Sequence, residues 1–301
     1  MQIHRLSTER TNPASRQLDT KSSLEIARII NKEDAKVAAA VRRALPQIAK
    51  AIDLIAAALK RSGRLIYVGA GTSGRVAALD AVECPPTFNT DPKTVQFVIA
   101  GGSKALAAAV EANEDSRSLG QREIAKKKPG KNDVVVGIAA SGRTPFTVAA
   151  IEYARRRGAK TIAVTCNRNS PLGRAAHVAI VTEVGPEVVT GSSRMKAGTA
   201  QKMVLNMLST GAMTQLGYVH GNLMVNVHLK NEKLLERGIT ILQLAAGIDR
   251  ASAKRALKSA GNSAPIALIM LQTGIGRTEA RRALKAAHGH VRAAITSARA
   301  L

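Results

Sequence analysis

Aromatic residues are scarce in this chain. They make up 2% of its 301 residues and include no tryptophan, so the core must come from the Ala, Val, Leu and Ile within a hydrophobic fraction of 45%. Proteins that bind RNA or single strands stack bases on aromatic side chains. The shortage therefore argues against that class, although 45 Lys and Arg against 21 Asp and Glu leave a net charge of +24. We interpret the excess as a solvated cationic surface.

Cysteine is equally scarce, since Cys84 and Cys166 are the only two. This number argues against a disulfide scaffold and is typical of a reducing cytoplasm. Neither cysteine, and none of the six histidines, stands in a metal-ligand spacing such as H-E-x-x-H. No apolar run approaches the roughly 18 residues of a membrane span, and the polar start of the chain does not resemble a signal peptide. We expect a cytoplasmic protein without a membrane segment.

Short apolar runs alternate with helical stretches through the middle of the chain. This alternation predicts an α/β fold, in which a parallel sheet is covered by helices on both faces. The predicted strands are 65–68, 95–100, 134–139, 161–165 and 178–181, and helical patterns between them include 104–112 and 145–157. We predict an N-terminal helical segment packing on the core (1–60), a sheet domain (61–217) and a C-terminal helical domain (218–301).

Serine and threonine cluster in three glycine-containing turns, each leading into a predicted helix. We call residues 69–74, 140–145 and 190–196 the first, second and third hydroxyl turns. In parallel sheets ligands bind beyond the carboxyl ends of the strands, and such turns aim N–H groups at anions. The turns therefore predict one pocket for a phosphate ester; the plainer alternative is three helix N-caps. The candidate binding residues are Thr72, Ser73, Ser141, Thr144, Ser192 and Ser193.

Nucleotide-binding motifs do not explain the first turn. It lacks the Gly-Lys-Ser/Thr ending of a P-loop. Its glycines also lack the acidic residue that holds a ribose at the end of the next strand in a dinucleotide fold.

Two carboxylates are candidates for acid–base chemistry. Glu83 is followed by Cys84-Pro85-Pro86, a sequence that we expect to end its helix. Glu114 follows the helix after the second strand. Both could project toward the strand ends, where a partly dry pocket suits general acid–base catalysis; alternatively, both are exposed charges at helix ends. Lys196 and Lys202 either meet an anion or face water.

The chain changes character after Gly217. Residues 225–246 have a helical pattern, and residues 250–258 then recur at 277–285, a period of 27 residues. The period predicts two copies of a short helical hairpin. The second copy, which contains Gly289, resembles a ubiquitin-associated (UBA) three-helix module.

Longer strings carry a family resemblance over nearly the whole chain. LDAVECPPTF (79–88), EANEDS (111–116), VVVGIAASGRTP (134–145) and EVVTGSSRMKAGTAQKMVLNMLSTG (187–211) resemble the N-acetylmuramic acid 6-phosphate etherases, which have a sugar isomerase (SIS) fold. The resemblance implies cleavage of the D-lactyl ether of the phosphosugar by elimination and then hydration. The products are N-acetylglucosamine 6-phosphate and D-lactate, as in cell-wall sugar recycling.

The resemblance also implies roles and partners. It implies no metal and no redox cofactor, and a homodimer whose pocket is completed by Asn231-Glu232-Lys233 of the second copy. Glu83 matches the acid–base residue of the family, and Glu114 matches a second functional carboxylate. We assign the leaving oxygen and water to Glu83 and the C2 proton to Glu114, although these two roles could be reversed.

Three other functions remain open on the sequence. A phosphosugar isomerase shares the fold and the proton abstraction, and a phosphosugar-sensing regulator shares the binding site without turnover. The presence of both carboxylates favours catalysis. Nucleic-acid binding through the basic excess comes last.

Overall fold

The computed structural model describes residues 6–110, 113–227, 229 and 232–300. The chain divides into two compact units. The sheet unit comprises the described residues up to Val82 together with Lys93–Ser209. The helical unit comprises Glu83–Pro92 and the described residues from Thr210 onward. The sequence-based domain boundaries stay predictions.

A five-stranded sheet forms the centre of the sheet unit, and every strand pairing in it is parallel. The strand order is β2-β1-β3-β4-β5, so the chain crosses over once, from β2 to β3 on the other side of β1. All residues of β1 and β3 are buried, as expected where helices cover both faces. The predicted α/β fold with a parallel sheet is confirmed. The strands are β1 (Leu65–Gly69), β2 (Val95–Ile99), β3 (Val134–Ile138), β4 (Lys160–Thr165) and β5 (Val178–Val181).

Helices precede the sheet and connect its strands. α3 packs on β1, β3 and β5, and the Ile48 and Ile55 side chains on its inner face are fully buried. The helices are α1 (Ser23–Asp34), α2 (Lys36–Arg43), α3 (Leu45–Lys60), α4 (Gly71–Phe88), α5 (Lys104–Ala107), α6 (Arg117–Lys126), α7 (Pro145–Arg156), α8 (Pro171–Ala175) and α9 (Lys196–Gln215).

The expected end of α4 at the two prolines is wrong. The helix continues through Pro85 and Pro86 to Phe88. The φ angle of proline suits a helix, and only the last turn lacks the donors that the prolines remove. Asn89 closes this turn with a φ of 53° and an N–H that donates to the Pro85 carbonyl at 2.8 Å.

Two other helices are shorter than predicted. α5 ends at Ala107 because Ala108 is extended and its carbonyl accepts a hydrogen bond from Arg75 at 2.7 Å. The predicted end of this helix at residue 112 lies outside the described residues. The pattern predicts a helix from residue 225, yet α10 begins at Glu232 and the buried Val225 lies in a turn.

The helical unit has its own apolar core, which includes Leu242, Leu257, Leu268 and Ile295. Its helices recur at the predicted period, because α11 and α13 start at 250 and 277, and α12 and α14 start at 264 and 291, a spacing of 27 residues in both pairs. The likeness of the second copy to a UBA module stays a prediction. The helices are α10 (Glu232–Ala246), α11 (Arg250–Ser259), α12 (Ala264–Thr273), α13 (Arg277–Ala286) and α14 (Val291–Arg299).

None of the helices within the described residues has the length and apolar character needed to cross a membrane.

A close contact between α6 and α7 generates a stability prediction. A Cβ added at Gly120 would lie 2.1 Å from the Phe146 carbonyl oxygen. We expect Gly120→Ala to lower the free energy of unfolding by about 2 kcal/mol, because overpacking outweighs the gain in helix propensity of about 1 kcal/mol. Urea denaturation would measure the change.

Gly130→Ala is the matched control, since a Cβ there meets nothing within 4 Å. Equal stability of the two variants would contradict the close approach of α6 to α7.

Candidate functional site

The first hydroxyl turn joins β1 to α4 and leaves no room for side chains at its glycines. A Cβ added at Gly69 would lie 2.8 Å from the Gly74 nitrogen, and one added at Gly74 would lie 2.5 Å from Ile99 on β2. Gly71 has a φ of 51°, which favours glycine. The N-terminus of α4 therefore starts directly at the sheet edge, with its N–H groups open to an anion.

The third hydroxyl turn meets the first through the start of α9. A Cβ on Gly198 would lie 3.3 Å from the Thr72 methyl group. Ser73 Oγ donates to Gln201 Oε1 at 3.0 Å, and both side chains are buried. The first turn is thus in contact with the helix that follows the third turn.

Glu114 connects the first turn to the second. Its Oε1 atom would lie 3.0 Å from a Cβ added at Gly71. Its carbonyl oxygen accepts the Phe146 N–H at 3.0 Å, in the first turn of α7. Glu114 is half-buried, and its carboxylate lies against the first turn while its backbone binds the start of α7. The structure therefore brings this predicted residue to the hydroxyl turns.

The second turn is held by its own serine and glycine. Ser141 Oγ accepts the Arg143 N–H at 3.1 Å. Gly142 has a φ of 65°, and a Cβ there would lie 2.4 Å from the Ser170 side chain. Thr144 occupies the N-cap position of α7. The Ser141 bond lies within the turn and caps no helix, and Thr144 makes no side-chain cap bond. The half-buried side chains of Ser141 and Thr144 remain partly accessible.

The third turn belongs to a loop whose two ends are joined. The buried Glu187 carboxylate accepts the N–H groups of Lys196 at 3.0 Å and of Ala197 at 2.9 Å. It therefore serves as a cap for the N-terminus of α9. Burial raises the pKa of Glu187, and the two N–H bonds oppose this. Between these ends, Ser192 and Ser193 are half-buried.

Lys196 takes neither of the two predicted roles. Its side chain is 1% exposed, and Nζ donates to Glu33 Oε2 at 2.6 Å. Burial alone would raise the pKa of Glu33, but hydrogen bonds from Lys196, Lys36 and Asn12 lower it to about 2. Lys202 is exposed, in agreement with the alternative that it faces water.

Glu83 makes none of the contacts described for the hydroxyl turns. It is exposed on α4, more than three turns beyond Gly71, and belongs to the helical unit. Its role stays a prediction that depends on its motif.

The buried polar residues that sequence reasoning missed include Glu33, Asp80, Glu187 and Gln201 of the sheet unit. Asp80 carried a usable signal, because it lies seven residues after Ser73 on the same face of α4. Tyr67 Oη donates to it at 2.7 Å and Ser209 Oγ at 3.0 Å. Glu33 and Gln201 had no local signal for their contacts with Lys196 and Ser73, which lie 163 and 128 residues away in the chain.

Within the described ranges, His, Cys, Asp and Glu side chains form no group of three or more that could hold a metal ion.

Two family models match the sheet unit, and a solved structure shares its fold. The glucokinase regulatory protein N-terminal SIS domain matches residues 47–155, and the SIS domain matches residues 127–211. A phosphoheptose isomerase from Francisella tularensis aligns over 64% of this chain and 100% of its own, with a TM-score of 0.52 and 17% identity. At this identity the likeness shows the fold alone.

Curated relatives cover nearly the full length. Proteins named N-acetylmuramic acid 6-phosphate etherase are 56% identical in Symbiobacterium thermophilum, over 89% of both chains, and 50% identical in Vibrio vulnificus, over 97% of this chain and 98% of the relative. The chain belongs to the N-acetylmuramic acid 6-phosphate etherase family. The family resemblance found in the sequence motifs is therefore confirmed, and the three hydroxyl turns belong to an etherase-family SIS fold.

Burial of Asp80 generates a pH prediction for this etherase-family chain. Burial raises its pKa to about 6, although the Tyr67 and Ser209 hydroxyls and the charge of Lys202 lower it. The folded state therefore holds a proton that the unfolded state loses nearer pH 4. As the pH rises from about 4 to about 6, this group therefore lowers the free energy of unfolding. The loss reaches up to about 3 kcal/mol, at 1.4 kcal/mol per pKa unit.

Asp80→Asn stays neutral at every pH, so we expect its free energy of unfolding to fall less than that of the wild type between pH 4.5 and pH 7. Urea titrations of both proteins at the two pH values measure the difference. Parallel losses would mean that Asp80 does not bind the proton.

Proposed function

We propose that the protein cleaves the D-lactyl ether of N-acetylmuramic acid 6-phosphate to N-acetylglucosamine 6-phosphate and D-lactate. The observation that carries this proposal is identity of 50% or more, over most of both chains, to relatives named for that etherase activity. The meeting of Glu114 with the hydroxyl turns supports it from the geometry.

The phosphate of the substrate would bind where three helices begin. α4, α7 and α9 each follow a hydroxyl turn and direct the positive ends of their dipoles there, and α4 also offers the N–H groups of its first turn. Thr72, Ser141, Thr144, Ser192 and Ser193 are half-buried and add hydroxyl donors there. Ser73 is buried against Gln201, so we assign its contribution to the backbone N–H.

The reaction would proceed by elimination and then hydration. Opening of the sugar ring gives a C1 aldehyde, which acidifies the proton on C2. A base removes that proton, the C2–C3 double bond forms, and the C3–O bond to lactate breaks as an acid protonates the departing oxygen. Water then adds to C3 and a proton returns to C2, so the protein is a carbon–oxygen lyase. Proton transfers alone balance these steps, and we propose that no metal takes part.

The two carboxylates would divide these proton transfers. We assign the C2 proton to Glu114, because it lies against the first turn and supports the start of the α7 helix through its carbonyl. We assign the leaving oxygen and the attacking water to Glu83. Support for Glu83 comes from its motif LDAVECPPTF rather than from its position.

We also propose a homodimer in the cytoplasm, with residues 231–233 of one copy completing the pocket of the other. Asn231 lies outside the described residues, and Glu232 begins α10. The names of the relatives disfavour the alternatives of a phosphosugar isomerase and a phosphosugar-sensing regulator.

Solvent labels test the proposed reaction. With N-acetylmuramic acid 6-phosphate in deuterated, ¹⁸O-enriched water, we expect deuterium at C2 and ¹⁸O on C3 of the product sugar. The hydroxyl oxygen of lactate should carry no ¹⁸O, because the broken bond lies on its sugar side. Mass spectrometry of both products gives the answer. A ketose product would indicate an isomerase, and binding without any product would indicate a sensor.

Glutamine substitutions test the division of labour. We expect Glu114→Gln and Glu83→Gln each to lower kcat for lactate release by about 10²–10⁴-fold, the usual range for acid–base catalysis. Only Glu83→Gln should still exchange the C2 proton with deuterated solvent, because its Glu114 base is intact. NMR of the recovered substrate measures this exchange.

Glu152→Gln is the control, since this carboxylate forms a surface ion pair with Arg117. Exchange in the Glu114 variant alone would reverse the two roles, and full activity in either variant would remove that residue from the mechanism.

A further inference from the structure

The N-terminal residues lie along the loop that carries the third hydroxyl turn. Asn12 Nδ2 donates to the Pro186 carbonyl at 3.1 Å, and Ser15 Oγ donates to the Val188 carbonyl at 2.7 Å. Beyond these contacts, Glu9 Oε2 would lie 3.2 Å from a Cβ added at Gly191. We call residues 6–34 the N-terminal clamp, because it contacts this loop at successive positions.

The clamp also contains a buried ion pair. The Glu33 side chain at the end of α1 is 3% exposed, and the Lys196 side chain that it binds is 1% exposed. Burying two charges costs more desolvation than burying an apolar pair of the same size. Such a pair is therefore a poor way to gain stability, but its hydrogen bond fixes the two partners in one geometry.

The ion pair holds one end of the loop that carries the third hydroxyl turn. Lys196 ends the third hydroxyl turn and begins α9. Its backbone N–H is bound by the Glu187 carboxylate, so Lys196 is held from both its backbone and its side chain. The loop from 187 to 196 is thus anchored at both ends, with Ser192 and Ser193 between the anchors.

We propose that Glu33 and Lys196 are positioning residues, which hold Ser192 and Ser193 in the geometry that binds the phosphosugar. The inference rests on the proposed function in one respect, the binding of substrate by the third turn. Loss of the ion pair leaves the sheet and the first two turns unchanged but lets the loop between residues 187 and 196 open. Substrate binding then weakens, while the acid–base groups keep their positions.

Two variants and a matched control separate positioning from folding. Lys196→Met removes the buried cation, and Glu33→Gln is a milder change that keeps the size and an acceptor. Lys36→Met is the control, because Lys36 binds the other oxygen of Glu33 at 2.5 Å from an exposed site on α2. We expect KM for the phosphosugar to rise at least tenfold in both variants, with kcat within about twofold, and to stay unchanged in the control.

Hydrogen exchange provides a readout independent of activity. Amide exchange in the segment 187–197 should be faster in Glu33→Gln than in the wild type, while the β1 segment and the Lys36→Met protein stay at the wild-type rate. If the ion pair has a purely structural role, its loss lowers the melting temperature and the folded fraction. KM and the exchange rate of segment 187–197 then stay unchanged, and this result would overturn the proposal.

The two proposals fail in different ways. If the wild type releases no lactate, the proposed function fails, and the exchange rates still decide whether the ion pair holds the loop. If the wild type is active and KM does not change in folded Glu33→Gln, the positioning role alone is rejected.

Discussion

Strands that all run in one direction leave their carboxyl ends at a single edge of the sheet, and the whole candidate site depends on this geometry. β1 and β3 are neighbours, so the turns after them lie side by side at that edge. The helices that follow start there, so the positive ends of their dipoles add to the potential at that edge. Lys196, the last residue of the third turn, is paired with Glu33 and adds no free charge there.

The third turn does not follow from the strand order alone. β5 lies two strands away from β3, yet α9 returns to the first turn and packs Gly198 against Thr72. Glycine at 198 permits that approach, and the Ser73–Gln201 hydrogen bond fixes its register. The site is therefore assembled by two mechanisms, adjacency of parallel strands for two turns and helix packing for the third.

The sequence predicts well those elements that depend only on neighbouring residues, such as the buried strands. The runs 65–68 and 134–139 became strands within one residue of the predicted ends, because buried parallel strands appear as continuous apolar segments. Local rules failed at Pro85 and Pro86, where a helix already near its end tolerated the loss of donors. They also failed at Lys196, whose partner lies 163 residues away. No local pattern reveals such a partner, whereas the Ser- and Gly-rich turns show their chemistry directly.

Glu187 caps α9 from the far end of a loop rather than from the adjacent residue. The position at which the helix begins therefore does not depend on the length of that loop. Residues added or removed between 188 and 195 would bulge outward while the carboxylate still held the same two N–H groups. Gly198 and Gln201 would then keep their contacts with the first turn. The cap thus allows the loop to vary in length while the start of α9 stays in place.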